Sequence, residues 1–215
     1  MLKIVPLQAY IIDMFKKIPN YIKYIFTNVF FLFIFIAFFR GLFYTFFASL
    51  ENVSSQEIQK ALLLGLRFDL KLAILTFFPL VIFVLIINHN FFKSIIYKRI
   101  AAIYITLSYL ILTLFYLFDF GYYEYLAIRL DASSLRFLSN FKISFQVLIE
   151  SYPIYKGVFG LTILCFISYK YAILMFNIFN KGYQKITNKL KAVFFIFTFL
   201  ILSFGVFNSI THYPL

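Results

Sequence analysis

Long apolar runs, separated by short polar segments, form the dominant pattern of this chain. Five of these runs fall near the ~17 to 25 residues that a helix needs to cross the hydrocarbon core of a bilayer. The predicted spans are residues 24–47, 70–87, 100–118, 154–176 and 192–210. The pattern therefore predicts an all-α, polytopic membrane protein with five transmembrane helices.

The segments outside these spans have patterns of their own. Residues 1–23 mix apolar and basic positions, which predicts either a short helix on the cytoplasmic surface or a disordered tail. Residues 120–152 form the longest polar stretch, and the helical spacing of their apolar positions predicts interfacial helices on the extracytoplasmic side. Residues 24–210 then form the transmembrane domain, and residues 211–215 begin an extracytoplasmic linker.

The second span is predicted to continue a longer helix. Ser54 and Glu57 have the spacing of a capping box, so the helix is expected to begin there. From Gln56 to Ile87 it would be about 48 Å long, against about 30 Å of hydrocarbon. Its first third is therefore expected to stand at or above the outer interface, and Pro79 predicts a kink within the span.

The composition excludes a soluble protein. Hydrophobic residues make up 63% of the 215 residues, charged residues 13%, and the mean hydropathy is +0.92. Soluble domains are about 45 to 50% apolar and about 25% charged. The net charge of +12 would suit a nucleic-acid binder, but the basic residues lie in the gaps between apolar runs instead of on one soluble module. No nucleic-acid partner is therefore expected.

The distribution of basic residues predicts the orientation in the membrane. The segments before span one, between spans two and three, and between spans four and five are basic, with Asp13 as their only acid. Their basic residues are Lys3, Lys16, Lys17, Lys23, Lys93, Lys98, Arg99, Lys181, Lys185, Lys189 and Lys191. The positive-inside rule then places the N-terminus in the cytoplasm and the C-terminus outside.

Charges concentrate where the second span begins. Arg67, Asp69 and Lys71 lie close together there, and Arg40 interrupts the far end of the first span. Arg40 either extends its guanidinium to the headgroups or pairs with Asp69. The four residues predict either a lipid-headgroup site, since arginine binds phosphate with parallel hydrogen bonds, or a structural ion pair between the first two spans.

A second group of candidate residues follows the third span. It comprises Tyr122, Tyr123, Glu124, Arg129 and Asp131. Interfacial tyrosines commonly anchor a helix at the headgroups, and this is one interpretation. The other is a docking surface for an extracytoplasmic domain, or a rim that guides a lipid headgroup.

The sequence contains no motif that predicts catalysis or cofactor binding. His89 and His212 fall on opposite sides of the membrane in the predicted topology, and Cys165 is distant from both, so no metal site is expected. Gly-rich phosphate loops, nucleophile elbows and metalloprotease motifs do not occur in the sequence. We therefore expect no catalytic residue, cofactor or metal in this chain.

Several of these features together resemble one family. They are the segment from Gly65 to Leu70, the segment from Asp119 to Asp131, the Glu150-Ser151-Tyr152-Pro153 entry to span four, and the closing Pro214-Leu215. With five spans and the C-terminus outside, the chain is similar to the membrane domain of lipoteichoic-acid-synthase-like phosphoglycerol transferases, in the sulfatase and alkaline phosphatase superfamily. Phosphoethanolamine transferases have a similar layout and are the alternative within that superfamily.

The resemblance implies a domain that anchors a large extracytoplasmic catalytic domain in the bacterial inner membrane. In that family the catalytic domain holds manganese or zinc, and a threonine or serine nucleophile takes phosphoglycerol from phosphatidylglycerol. This chain stops where the linker to such a domain would begin, so we expect a truncated anchor that is not catalytic by itself. It would be the product of an interrupted coding sequence, a fragment, or a solitary membrane domain kept for another use. Its expected partners are membrane lipids, phosphatidylglycerol among them, and a catalytic domain in cis or in trans.

Two other functions remain open from the sequence. The chain could be a small transporter or flippase component that uses Arg40, Arg67 and Asp69 along a polar path, although these charges gather at one interface and no internal repeat is evident. It could also be a structural membrane protein for envelope assembly.

Overall fold

The computed structural model of the chain describes residues 18–47, 54–130, 154–180 and 196, and these residues are helical apart from short connections. Four long helices are present in these segments: α1 (Asn20–Phe47), α2 (Ser55–Ile87), α3 (Ile95–Leu126) and α4 (Ile154–Asn180). A short 3₁₀ helix, Asn88–Lys93, joins α2 to α3. All four long helices are long and apolar enough to cross a membrane, so the chain is a multi-pass membrane protein.

Each of the first four predicted spans lies within one of these helices, and the helices are longer than the spans. The third helix extends beyond the predicted span, since residues 120–126 continue α3. Their predicted position at the interface stays a prediction. Asp119, which lies inside this helix, is buried at 6% exposure. Residues 1–17, 131–153 and most of the predicted fifth span lie outside the described residues.

The N-terminal ends of α1 and α3 meet the C-terminal end of α4. The side-chain amide of Asn20 donates a hydrogen bond of 2.8 Å to the carbonyl of Phe179, and the ammonium of Lys98 donates one of 2.8 Å to the side chain of Asn177. We call this the basic end of the bundle. Buried Tyr24 lies at its centre, with ring centroids 5.5 to 6.4 Å from four phenylalanines, which are Phe91, Phe92, Phe176 and Phe179.

Branched aliphatic and small side chains fill the interior together with buried aromatic rings. Leu32 and Ile36 of α1 are fully buried, as are Val84 of α2 and Ile105 of α3. Buried alanines allow the helix backbones to approach closely, which matters in lipid because the tails are as apolar as the side chains and give helices little hydrophobic reason to associate. These alanines are Ala73, Ala101, Ala102 and Ala172.

Pro79 lies inside α2 and deprives that helix of one backbone donor. A neighbouring helix interacts with the backbone just before it. The hydroxyl of Tyr104 on α3 donates a 2.6 Å hydrogen bond to the carbonyl of Thr76, in the turn that precedes the proline. Such contacts between helices allow a membrane helix to tolerate proline. The kink itself stays a prediction.

The predicted capping box at the start of α2 is confirmed. The side chain of Glu57 accepts hydrogen bonds from the Ser54 backbone N–H at 3.1 Å and from the Ser54 hydroxyl at 2.9 Å. In return the Ser54 hydroxyl oxygen accepts the Glu57 backbone N–H at 3.3 Å. These bonds satisfy donors that the first turn of a helix otherwise leaves without partners.

We expect Ser54→Ala to loosen the first turn of α2 by about 1 kcal/mol, since it removes the cap. Backbone amides at the start of α2 should then exchange hydrogen roughly fivefold faster in mass-spectrometric measurements. Ser55→Ala is the matched control, because Ser55 is already helical and is exposed. Equal exchange rates in the two variants would contradict a role for the cap.

Candidate functional site

Arg40 of α1 and Asp69 of α2 form an ion pair through two parallel hydrogen bonds. The Nε of Arg40 donates to Oδ2 of Asp69 at 2.7 Å, and Nη2 donates to Oδ1 at 2.6 Å. The Asp69 side chain is 1% exposed, whereas that of Arg40 is 33% exposed. Of the two interpretations for Arg40, pairing with Asp69 is the one that the structure supports. The pair ties α1 to α2.

Gly65 creates the space that the guanidinium of Arg40 occupies. It lies one helical turn before Asp69, so the two residues share a face of α2. A Cβ atom at position 65 would lie 2.8 Å from Nη1 of Arg40 and 3.0 Å from its Cδ and Cζ. The glycine and the aspartate of the sequence motif therefore form one receptor for Arg40, in which Gly65 gives room and Asp69 gives charge.

Arg67 and Lys71 belong to a different surface. Each lies two positions from Asp69, which directs it to the opposite side of the helix. Arg67 is exposed, and Lys71 is half-buried with its ammonium 5.5 Å from the ring centroid of Phe68. The predicted four-residue cluster is therefore divided: one pair closes the contact between helices, and two cations lie on the outer face of α2.

A second ion pair joins Asp119, within α3, to Arg129, which follows the end of that helix. Nη2 of Arg129 is 2.6 Å from Oδ2 of Asp119, and the backbone N–H of Leu130 donates to Oδ1 at 2.8 Å. The chain reaches this position because Ala127 adopts the left-handed conformation (φ 55°, ψ 21°) and ends the helix. Its N–H bonds to the carbonyl of Tyr123 at 2.8 Å. Asp119 thus holds the segment that leaves the bundle.

Aromatic rings connect the two ion pairs. The guanidinium carbon of Arg129 lies 4.3 Å from the ring centroid of Phe43, which is one turn after Arg40 on α1. Phe39 of α1 stacks on Tyr116 of α3 at 4.8 Å with an interplanar angle of 7°. We call this assembly, which comprises Arg40, Asp69, Asp119, Arg129 and the rings between them, the ion-pair end of the bundle.

The described members of the second predicted group differ in their contacts and exposure. The ring of Tyr123 lies 4.9 Å from Phe43 and 5.0 Å from Phe47, so it contributes to the contact between α1 and α3. Arg129 is paired with Asp119, Tyr122 is half-buried, and Glu124 is exposed. Asp131 lies outside the described residues. Binding by the exposed members stays a prediction.

Sequence reasoning missed the pairing of Asp119 with Arg129 and the position of Phe43 beside it. The available signal was the presence of opposite charges ten positions apart on either side of a helix end. That signal is weak, because the pairing requires a left-handed residue at position 127, and alanine seldom adopts this conformation.

In the described segments no group of three or more histidine, cysteine, aspartate or glutamate side chains could hold a metal ion. The charged pairs found there have the geometry of structural contacts, in which each carboxylate is satisfied by an arginine. Comparison of the chain with protein-family models, with curated proteins and with solved structures gives no match. The chemistry of the site therefore rests on its geometry alone.

We expect Arg40→Leu to lower the free energy of unfolding by about 3 kcal/mol, because it leaves the buried Asp69 carboxylate without its partner. Asp69→Leu should cost less, since the partly exposed guanidinium of Arg40 can turn toward the headgroups. Unfolding by detergent titration in mixed micelles measures both values. The double variant should recover part of the loss; equal losses for the two single variants would contradict the burial argument.

Gly65→Ala and Gly41→Ala should have opposite effects on stability. Alanine favours a helix by about 1 kcal/mol over glycine, and Gly41 has open space within 4 Å of an added Cβ, so that variant should be stabilised. At Gly65 the added methyl should displace the guanidinium of Arg40 and destabilise the fold. The same detergent titration measures both. In a variant that already carries Arg40→Leu and Asp69→Leu, Gly65→Ala should become stabilising. If it still destabilises that variant, the added methyl group clashes with a group other than Arg40.

Proposed function

We propose that this chain is the membrane-anchor domain of a sulfatase-superfamily phosphoglycerol transferase of the lipoteichoic-acid-synthase-like type. The domain would cross the bacterial inner membrane five times, with the N-terminus in the cytoplasm and the C-terminus outside. It would not be catalytic by itself, and the metal, manganese or zinc, would belong to a separate catalytic domain. The alternative within the same superfamily is the anchor domain of a phosphoethanolamine transferase, which has a similar layout.

The observation that carries this proposal is the construction of the ion-pair end. Both described arginine–aspartate pairs lie there, one joining α1 to α2 and the other holding the segment after α3. Three residues of these pairs belong to the two motifs named above: Asp69 to the segment from Gly65 to Leu70, and Asp119 and Arg129 to the segment from Asp119 to Asp131. These motifs would then fix the geometry of the extracytoplasmic end of the bundle. An anchor requires such a fixed end in order to hold a catalytic domain attached to it.

The outer face of α2 suits a phosphate headgroup. Arg67 and Lys71 are one helical turn apart and lie on one side of the helix, away from the Arg40–Asp69 pair. Lys60 is two turns before Arg67 on the same side and is also exposed. Cations at headgroup depth bind anionic lipid with about 1 kcal/mol each, and arginine binds phosphate through two hydrogen bonds. Phosphatidylglycerol is the lipid we propose for this face.

The anchor function is tested by the size of the native protein. An antibody against residues 1–17 should detect, in the membranes of the source cell, either a product well above 25.5 kDa or a 25.5 kDa product that co-purifies with a sulfatase-superfamily protein. Metal-dependent release of glycerol phosphate from phosphatidylglycerol by the repurified chain alone would contradict the proposal. So would a short product without such a partner.

The lipid surface is tested by substitution. We expect Arg67→Ala with Lys71→Ala to lower the preference for phosphatidylglycerol over phosphatidylcholine by roughly thirtyfold, since two cations of about 1 kcal/mol each are lost. The lipid retained after exchange in mixed nanodiscs measures this preference. Lys156→Ala, an exposed cation near the first residue of α4, is the matched control. An equal loss in the control would indicate a general effect of charge.

A further inference from the structure

Lys170 lies deep within α4, far from either end of the helix. The helix of 27 residues is about 40 Å long, some 10 Å more than the hydrocarbon layer. Lys170 is about 24 Å from the first residue, Ile154, and about 15 Å from the last, Asn180. Even if all of the excess length extends beyond one end of the hydrocarbon layer, the Cα of Lys170 still falls within that layer.

The side chain of Lys170 points farther into the membrane. Its ammonium lies 5.3 Å from the ring centroid of Phe166, one turn toward the middle of α4. Lysine on a helix leans toward the helix N-terminus, and in α4 this is the direction away from the nearer end at Asn180. Lys170 therefore does not extend to the closer headgroups in the way that interfacial lysines do.

Among the described helices, the surface around Lys170 faces outward and is apolar. Lys170 is exposed, as are the large side chains beside it on that face, which are Ile163, Phe166, Ile167 and Leu174 at 43 to 63%. A cationic group on such a surface is costly in lipid, and intramembrane ionisable residues accordingly tend to face protein or water. The face is therefore suited to contact with another protein.

The described residues supply no acid at the depth of Lys170. The described acids are Glu57, Asp69, Asp119 and Glu124; Glu57 lies in the first turn of α2 and the other three lie at or near the ion-pair end, where Asp69 and Asp119 have arginine partners. The five predicted spans contain no aspartate or glutamate. A second copy of the chain would bring a second lysine and no carboxylate from its spans, so it does not fit this face.

We propose that the Lys170 face of α4 binds a transmembrane helix of a different protein that carries an aspartate or glutamate at the same depth. The ammonium and the carboxylate would form an intramembrane ion pair, and the isoleucines, leucine and phenylalanine around Lys170 would pack against the partner helix. This inference depends on the crossing of the membrane by α4 and stands apart from the anchor function proposed above.

The test uses the full chain in the membranes of its own cell, with a benzophenone amino acid at position 167. The expected product is a cross-link to a second protein whose linked transmembrane segment contains aspartate or glutamate. Lys170→Met, which keeps an unbranched side chain, should lower the yield at least tenfold, and Lys170→Arg should retain most of it. Lys156→Met is the matched control, because Lys156 lies on the same face near the end of α4, and its yield should be unchanged.

A charge exchange then tests the pair itself: Lys170→Asp should abolish the cross-link, and replacing the acid of the partner by lysine should restore it. The proposal is overturned if Lys170→Met cross-links as well as the native chain, if the linked segment has no acid, or if only lipid or a second copy is captured. In phosphatidylcholine nanodiscs the isolated Lys170→Met chain should have an equal or higher Tm. A lower Tm would show that Lys170 is paired within its own chain and would also overturn the proposal.

Discussion

Water cannot solvate a carboxylate that a helix carries toward the hydrocarbon, so each such group needs a partner from the protein. In the described part of the chain this requirement determines how the helices meet at one end. Asp69 can be buried because Arg40 reaches it across the helix contact, and Asp119 because Arg129 returns to it after α3. Ion pairs of this kind specify geometry more than they add stability, since desolvation offsets much of their attraction.

The packing around these pairs relies on rings. The chain has 33 phenylalanines and 17 tyrosines and no tryptophan, and lipid gives apolar side chains little reason to leave it for the protein interior. The shapes of the side chains and the geometry of ring contacts must therefore determine which helices pack together. At the basic end Tyr24 is surrounded by phenylalanines, and at the ion-pair end Phe43 contacts both Phe120 and Tyr123 edge to face. Each end of the bundle thus has a defined aromatic contact.

The sequence was sufficient for features that depend on local spacing or on average hydropathy. The four described helices follow from length and composition, and the capping box follows from the positions of Ser54 and Glu57. The sequence could also suggest the pairing of Arg40 with Asp69 as one of two alternatives, because both residues are predicted at a similar depth in the membrane. The Asp119–Arg129 pair could not be predicted, since it depends on an alanine in the left-handed conformation. Lys170 was overlooked because the average hydropathy of the fourth span is high despite this charge.

Depth and pairing together separate the cations of this domain into classes with different roles. Arg40 and Arg129 have carboxylates and act within the fold. Arg67 and Lys71 lack an ion pair among the described residues, but the headgroups near the predicted interface can compensate their charge. Lys170 has neither a carboxylate from these segments nor a short path to the interface. Because Lys170 lies on an outward face of a predicted span without either form of compensation, its charge is best explained by something outside the chain.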